Sequence, residues 1–222
     1  MKKILFAASE CVPFIKTGGL ADVCGSLPKC LDKEYFDCRV VLPKYLCMKQ
    51  EHVEKLEYIT HFYMDIGDKN QYVGIFKTEY DGVTFYFIDN EFYFSGDKIY
   101  GDLLWDIEKF AFFSKAVLSI LPVIDFRPDI IHCHDWQTGL IPVYLNERFQ
   151  GGEFFRGIKT IMTIHNLKFQ GVWDVKTIQN ITGLPDYFFT PDKLEAYKDG
   201  NLLKGGLVYA NAITTVSNTY AE

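Results

Sequence analysis

The sequence predicts an α/β fold: a mainly parallel sheet with helices on both faces and one inserted β-hairpin. Three observations lead there. Short apolar runs, such as Ile4-Leu5-Phe6-Ala7-Ala8 and Ile130-Ile131-His132-Cys133, alternate with longer stretches of helical period. Three polar clusters follow such runs: Lys16-Thr17-Gly18-Gly19-Leu20, His134-Asp135-Trp136-Gln137 and His165-Asn166. An Asp81-Gly82 pair joins two segments rich in β-forming residues.

Taken in order, residues 4–8 read as the first strand. Residues 19–31 form a helix, with Leu20, Val23, Leu27 and Leu31 at helical spacing. Residues 39–42 are a second strand closed by Pro43, and 44–57 a connecting loop with some helix. Segments 72–78 and 83–89 make the hairpin through Tyr80-Asp81-Gly82. A polar, aromatic loop over 93–101 precedes an amphipathic helix over 107–121, ended by Pro122. The parallel theme returns with a buried strand at 129–134 after Pro128, a helix at 138–149 and a strand at 159–164. Residues 166–201 read as irregular with short helices, 202–211 as a helix and 212–216 as a strand. The chain stops at Ser217-Asn218-Thr219-Tyr220-Ala221-Glu222, straight after that strand, which reads as an interruption. No internal repeat or Pro/Gly/Ser-rich linker divides it.

With 222 residues, 48% of them hydrophobic, the chain can bury a substantial core. Its 19 Phe and 14 Tyr suit aromatic packing first and a carbohydrate-facing surface second. A formal charge of −6 without a basic run argues against nucleic acid. No apolar stretch is long enough for a membrane span. Met1-Lys2-Lys3-Ile4 opens like an export signal, but the apolar run stops at Ser9-Glu10, so a cytoplasmic protein is expected. The six cysteines form no CxxC pair and read as free thiols. Along a strand Cys133 faces away from His132 and His134, so no metal site and no cofactor are expected.

The three clusters define the candidate site, because ligands of such sheets bind beyond the carboxyl ends of the strands. In the first, Gly18 and Gly19 let backbone approach a ligand, Lys16 can neutralise a phosphate, and Asp22 lies in the first helical turn. A plain strand-to-helix turn explains the same glycines. Neither GxGxxG nor GxxxxGK[ST] is present, which disfavours a dinucleotide dehydrogenase. In the second cluster Asp135 can accept from sugar hydroxyls and Trp136 can stack on a pyranose. The bland alternative makes Asp135 a helix cap and Trp136 core filling. In the third, His165 is a functional or merely structural histidine, and Asn166 offers both donor and acceptor.

Together these residues resemble the bacterial glycogen synthase and plant starch synthase family. The resemblance runs through Ser9-Glu10-Cys11-Val12-Pro13-Phe14, Lys16 to Val23, Leu42-Pro43, Ile99-Tyr100-Gly101, Phe110 to Ser114, His134 to Leu140, Thr163 to Asn166, Gln170-Gly171 and Thr215-Val216-Ser217. It implies a retaining transfer of glucose from ADP-glucose to the 4-hydroxyl at the non-reducing end of an α-1,4-glucan. It also implies the GT-B arrangement of two Rossmann-like domains facing a cleft. Residues 1–222 would be the single N-terminal domain, and the C-terminal nucleotide-binding domain would be absent from this chain. Carried over, Lys16, Gly18 and Gly19 approach the donor diphosphate, and Asp22 and Tyr100 lie at the cleft wall. Asp135 and Asn166 hold sugar hydroxyls, and His165 sits beside the anomeric carbon, giving electrostatic assistance without a metal. Asn218 departs from the proline usual after Thr-Val-Ser. Lacking the second domain's cations, the chain would fold without turning over. A non-catalytic α-glucan-binding module is the rival reading.

Overall fold

The computed structural model describes residues 1–149 and 151–221. Strand β1 (Lys2–Ala7) leads into helix α1 (Gly19–Cys30) and strand β2 (Phe36–Pro43). A short helix α2 (Gln50–Val53) precedes the long strands β3 (Glu57–Ile66) and β4 (Lys69–Tyr80), then β5 (Val83–Asp89). Helices α3 (Glu91–Phe94) and α4 (Leu103–Val123) follow, then strand β6 (Ile130–His134), helix α5 (Leu140–Tyr144) and strand β7 (Lys159–Ile164). The last part holds β8 (Val172–Asp174), α6 (Val175–Thr182), β9 (Glu195–Ala196), β10 (Asp199–Asn201), α7 (Leu202–Tyr209), β11 (Ala212–Thr215) and α8 (Asn218–Ala221).

The main sheet has eight strands in the order β11-β7-β6-β1-β2-β5-β4-β3. From β11 to β5 every neighbour is parallel, and β4 and β3 extend the sheet antiparallel. Successive residues of a strand point to opposite faces. Leu5, Phe6 and Ala7, and Val40, Val41 and Leu42, are nonetheless all 0–1% exposed, so both faces of the sheet are covered. The strand order reverses direction at β1 and β6, the position where an open parallel sheet leaves a crevice beyond its carboxyl edge.

The elements form where local chemistry asks for them. Asp102 caps α4 by accepting from Trp105 N at 3.0 Å, and Phe110, Phe112 and Phe113 of that helix are fully buried. Asp81 and Gly82, both at positive φ (51° and 70°), make the tight turn between β4 and β5. Helix α7 crosses α5 closely at Gly206, where a Cβ would lie 2.9 Å from Gly139 Cα.

Several expectations change. The hairpin is a larger device: β5 belongs to the parallel sheet, and β4 pairs with both β5 and β3. Strand β3 had no forecast, because its outer face stays solvated and its apolar signal is weak. Helix α4 starts at Leu103 and runs past Pro122 by one residue. Residues 166–201 contain a three-stranded sheet, β8-β10-β9, whose strands are two or three residues long. No helix among the described residues is long and apolar enough to cross a membrane.

Candidate active site

Beyond the carboxyl ends of β1, β6 and β7 lies a cleft of about 910 Å³. Glu10, Gly18, Gly19, Tyr100, Asp135, His165 and Asn166 all line it. The three sequence clusters therefore converge, as the parallel topology requires.

The first wall is the loop between β1 and α1. Glu10, 3% exposed, accepts from the Thr17 backbone N–H and from Thr17 Oγ1 (2.8 Å). This carboxylate holds the Gly18–Gly19 backbone at the cleft. Gly18 is the N-cap of α1, and no side chain caps the helix. Its φ of −149° is ordinary for any residue. A Cβ on Gly18 would meet Glu10 Oε1 at 3.6 Å, and one on Gly19 would meet nothing within 4 Å. Folding thus does not demand glycine at either place, and what the missing side chains leave is room. Lys16 and Asp22 do not line the cleft. Lys16 Nζ lies 2.7 Å from both carboxylate oxygens of Asp22, and each side chain is about half exposed. Helical spacing explains the correction for Asp22: Leu20 and Val23 share the cleft-facing side of α1, and Asp22 falls off it.

The second wall carries Tyr100. Its hydroxyl is 2.7 Å from Ser9 Oγ, and burial pushes its pKa up. Gly101 N donates to Asp106 Oδ2 at 2.9 Å. Asp106 pairs with Lys109 at 2.6 Å, and Lys109 also donates to Ile99 O at 2.6 Å. Both charged side chains are almost fully buried, so the 99–101 loop is anchored on a desolvated ion pair.

The floor is Asp135. Its carboxylate does not cap the following turn. Oδ1 reaches across to β7, accepting from His165 N (2.7 Å) and Asn166 N (3.3 Å). Its backbone sits at φ 56°, ψ −177°, a region rarely occupied by any residue but glycine. Burial raises its pKa to about 6, against the two backbone hydrogen bonds, and nearby Glu10 pushes the same way. Thr138 Oγ1 closes the turn, accepting from His134 N at 2.7 Å. Asn166 Oδ1 accepts from Lys168 N at 3.1 Å, which commits that oxygen to the local turn.

Trp136 takes the bland alternative. It borders the cleft but is only 5% exposed, with Phe110 edge-on at 5.5 Å. Gly171 presses on the indole, since a Cβ there would lie 2.4 Å from Trp136 Cε3. Little ring face is left for a pyranose.

Three histidine rings, His132, His134 and His165, lie in contact in a row. His132 and His134 rings are 4.3 Å apart, and His134 Nδ1 lies 2.9 Å from His165 Nε2. Burial lowers all three pKa values, that of His132 to about 4. Cys133 is fully buried, and all six cysteines are free. Among the described residues no group of three His, Cys, Asp or Glu is placed to hold a metal ion.

A model of the starch synthase catalytic domain family matches residues 3–222. The chain belongs to that family. It is 69% identical over 222 residues to the glycogen synthase of Lachnospira eligens, covering 100% of this chain and 46% of that protein. Identity to the glycogen synthase of Desulforamulus reducens is 50% over 224 residues, covering 99% of this chain and 46% of that one. The catalytic domain of starch synthase IV from Arabidopsis thaliana, solved bound to ADP and acarbose, superposes with a TM-score of 0.90 at 29% identity, over 99% of this chain and 45% of that chain. The sheet described above is thus the starch synthase type of GT-B fold. The chain spans about half the length of the curated relatives it matches.

Glu10, Thr17 and Lys168 line the cleft without having been singled out as site residues. Glu10 had one available signal: it is the first charged residue after β1, at the carboxyl edge of the sheet.

Proposed function

We propose that this chain forms one half of a retaining glucosyltransferase site, moving glucose from ADP-glucose to the 4-hydroxyl at the non-reducing end of an α-1,4-glucan. One observation carries the reading: residues distant in sequence, Glu10, Gly18, Gly19, Tyr100, Asp135, His165 and Asn166, line a single cleft at the strand-order reversal. Glycogen synthases as relatives, and a starch synthase solved with ADP and acarbose, support that substrate class.

On this reading residues 1–222 are the N-terminal domain, and a second domain brings the nucleotide site. The uncapped N-terminus of α1 offers backbone N–H groups to the donor phosphates, with room above Gly19 for them. Asp135 and Asn166 border the sugar, and Tyr100 closes the cleft wall. His165, low in pKa and neutral, assists the charge that develops at the anomeric carbon; it takes no proton from the acceptor. Lys16, engaged with Asp22, reaches the diphosphate only by leaving that exposed pair, whose strength in water is small.

The test is incorporation of labelled glucose from ADP-glucose into glycogen by the protein that carries this chain. His165→Ala is expected to lower kcat by about 100-fold or more. Gly19→Ala is expected to raise the donor KM with no loss of melting temperature, and Lys16→Ala to weaken donor use. Absence of transfer would overturn the activity. Full rates in all three variants would overturn the site.

A further inference from the structure

The contact between His134 and His165 decides how the cleft-facing ring is protonated. Both rings are neutral near pH 7, since burial lowers both pKa values. Each therefore carries one N–H, and a 2.9 Å contact between His134 Nδ1 and His165 Nε2 allows two arrangements. In one, His165 Nε2–H donates, and His134 keeps its hydrogen on Nε2. That Nε2 is buried and meets no hydrogen-bond partner among the described residues. A buried N–H without an acceptor is the less tolerated of the two orphans, since unpaired donors are rarer in folded proteins than unpaired acceptors. In the other, His134 Nδ1–H donates, and only a bare ring nitrogen is left in apolar surroundings. The neighbours cannot change the choice. The Phe6 ring stacks 6.3 Å away, and His132 Nε2 is already engaged by Thr163 Oγ1 at 2.6 Å.

We propose that His134 is a positioning residue that holds His165 as its Nδ1–H tautomer, so that His165 serves the cleft as a hydrogen-bond donor and not as a base. The inference rests on the glucosyl-transfer reading for the donated bond's target, an oxygen of the donor sugar or its phosphate. The tautomer itself does not depend on that reading.

Two measurements test it. The first is long-range 1H–15N correlation on the 222-residue chain labelled with 15N-histidine, with His165→Gln and His134→Asn used for assignment. The expected spectrum shows protonated Nδ1 on both rings, with His165 Nε2 bare and hydrogen-bonded. An Nε2–H tautomer at His165 overturns the proposal whatever the enzyme's activity. The second is transfer kinetics on the active protein. His134→Asn places an amide N–H where Nδ1–H stood and is expected to keep kcat. His134→Leu removes the donor and is expected to lower kcat about tenfold, with the glucan KM unchanged. Equal losses in both variants that track a fall in melting temperature would reduce His134 to packing and overturn the positioning role. Failure of the parent protein to transfer glucose would remove the proposed reaction and leave the spectroscopic result standing.

Discussion

Asp135 combines an unfavourable backbone with an unfavourable charge. Its positive φ costs about 1–3 kcal/mol for a residue with a side chain. Burial lifts its carboxyl from 3.8 to about 6. Between those values the folded chain binds a proton that the unfolded chain has lost, so stability falls as pH rises through this window. The contribution is complete below about pH 4 and gone above about pH 6, a difference on the order of 3 kcal/mol. Asp135→Asn removes it and keeps an oxygen to accept from His165 N. Denaturant unfolding at pH 4.5 and 7.5 should show the Asn variant gaining stability relative to wild type at the higher pH. A constant difference between the two proteins would show that Asp135 titrates normally. A residue kept under these two penalties is consistent with a site and not with packing alone. Its position after a strand was readable from sequence; its target was not, because the carboxylate bonds the backbone of His165 and Asn166, some thirty residues on. Trp136 is nearly buried at the cleft edge, and Asp22 lies off the cleft lining. How far the indole is covered is set by Gly171, far along the sequence from Trp136, whereas Asp22 falls off the lining by the helical spacing of α1 itself.

Among the elements, those with both faces buried were legible and those with one solvated face were not. Strands β1, β6 and β7 announce themselves as apolar runs with polar residues at or just after their carboxyl ends. Strand β3 and the small sheet β8-β10-β9 carry no such run. The small sheet matters to the site, since it carries the 170–172 segment that closes the cleft over Trp136. That segment is tied down by Leu202 N donating to Gly171 O at 3.1 Å and Leu203 N donating to Gln170 O at 3.0 Å. Gly171 has φ +62° and no space for a Cβ against the indole. Gly171→Ala should therefore cost about 1–3 kcal/mol, through overpacking and backbone strain together. It should also shift the tryptophan emission, because the Trp136 indole must move to relieve the clash. An unchanged melting temperature and spectrum would mean that the segment yields freely, and that the indole is not clamped.

The protein's charge distribution bears on how much of the reaction this chain can support. The cleft contains Glu10, Asp106 and Asp135, and Lys168 is the single cationic side chain lining it among the described residues. Asp106 is spoken for by Lys109, and Lys16 by Asp22. Carboxylates on a buried floor suit sugar hydroxyls, which donate to them. They repel a diphosphate, which requires cations or a cluster of N–H donors. One helix N-terminus is worth only about 0.3–1 kcal/mol to an anion at an exposed position. The sugar-binding chemistry of the proposed reaction is therefore well represented here and the phosphate-binding chemistry thinly. Calorimetry on the 222-residue chain separates the two. Maltooligosaccharide should give measurable heat, and ADP-glucose should bind more weakly than about 1 mM. Micromolar binding of ADP-glucose would show that this half holds the donor unaided, and the two-domain division of labour would fall. Heat from neither ligand would remove the acceptor from this cleft. Heat from maltooligosaccharide in the chain, joined to glucose transfer only by the longer protein, is what a floor of carboxylates beneath a nearly cation-free rim demands.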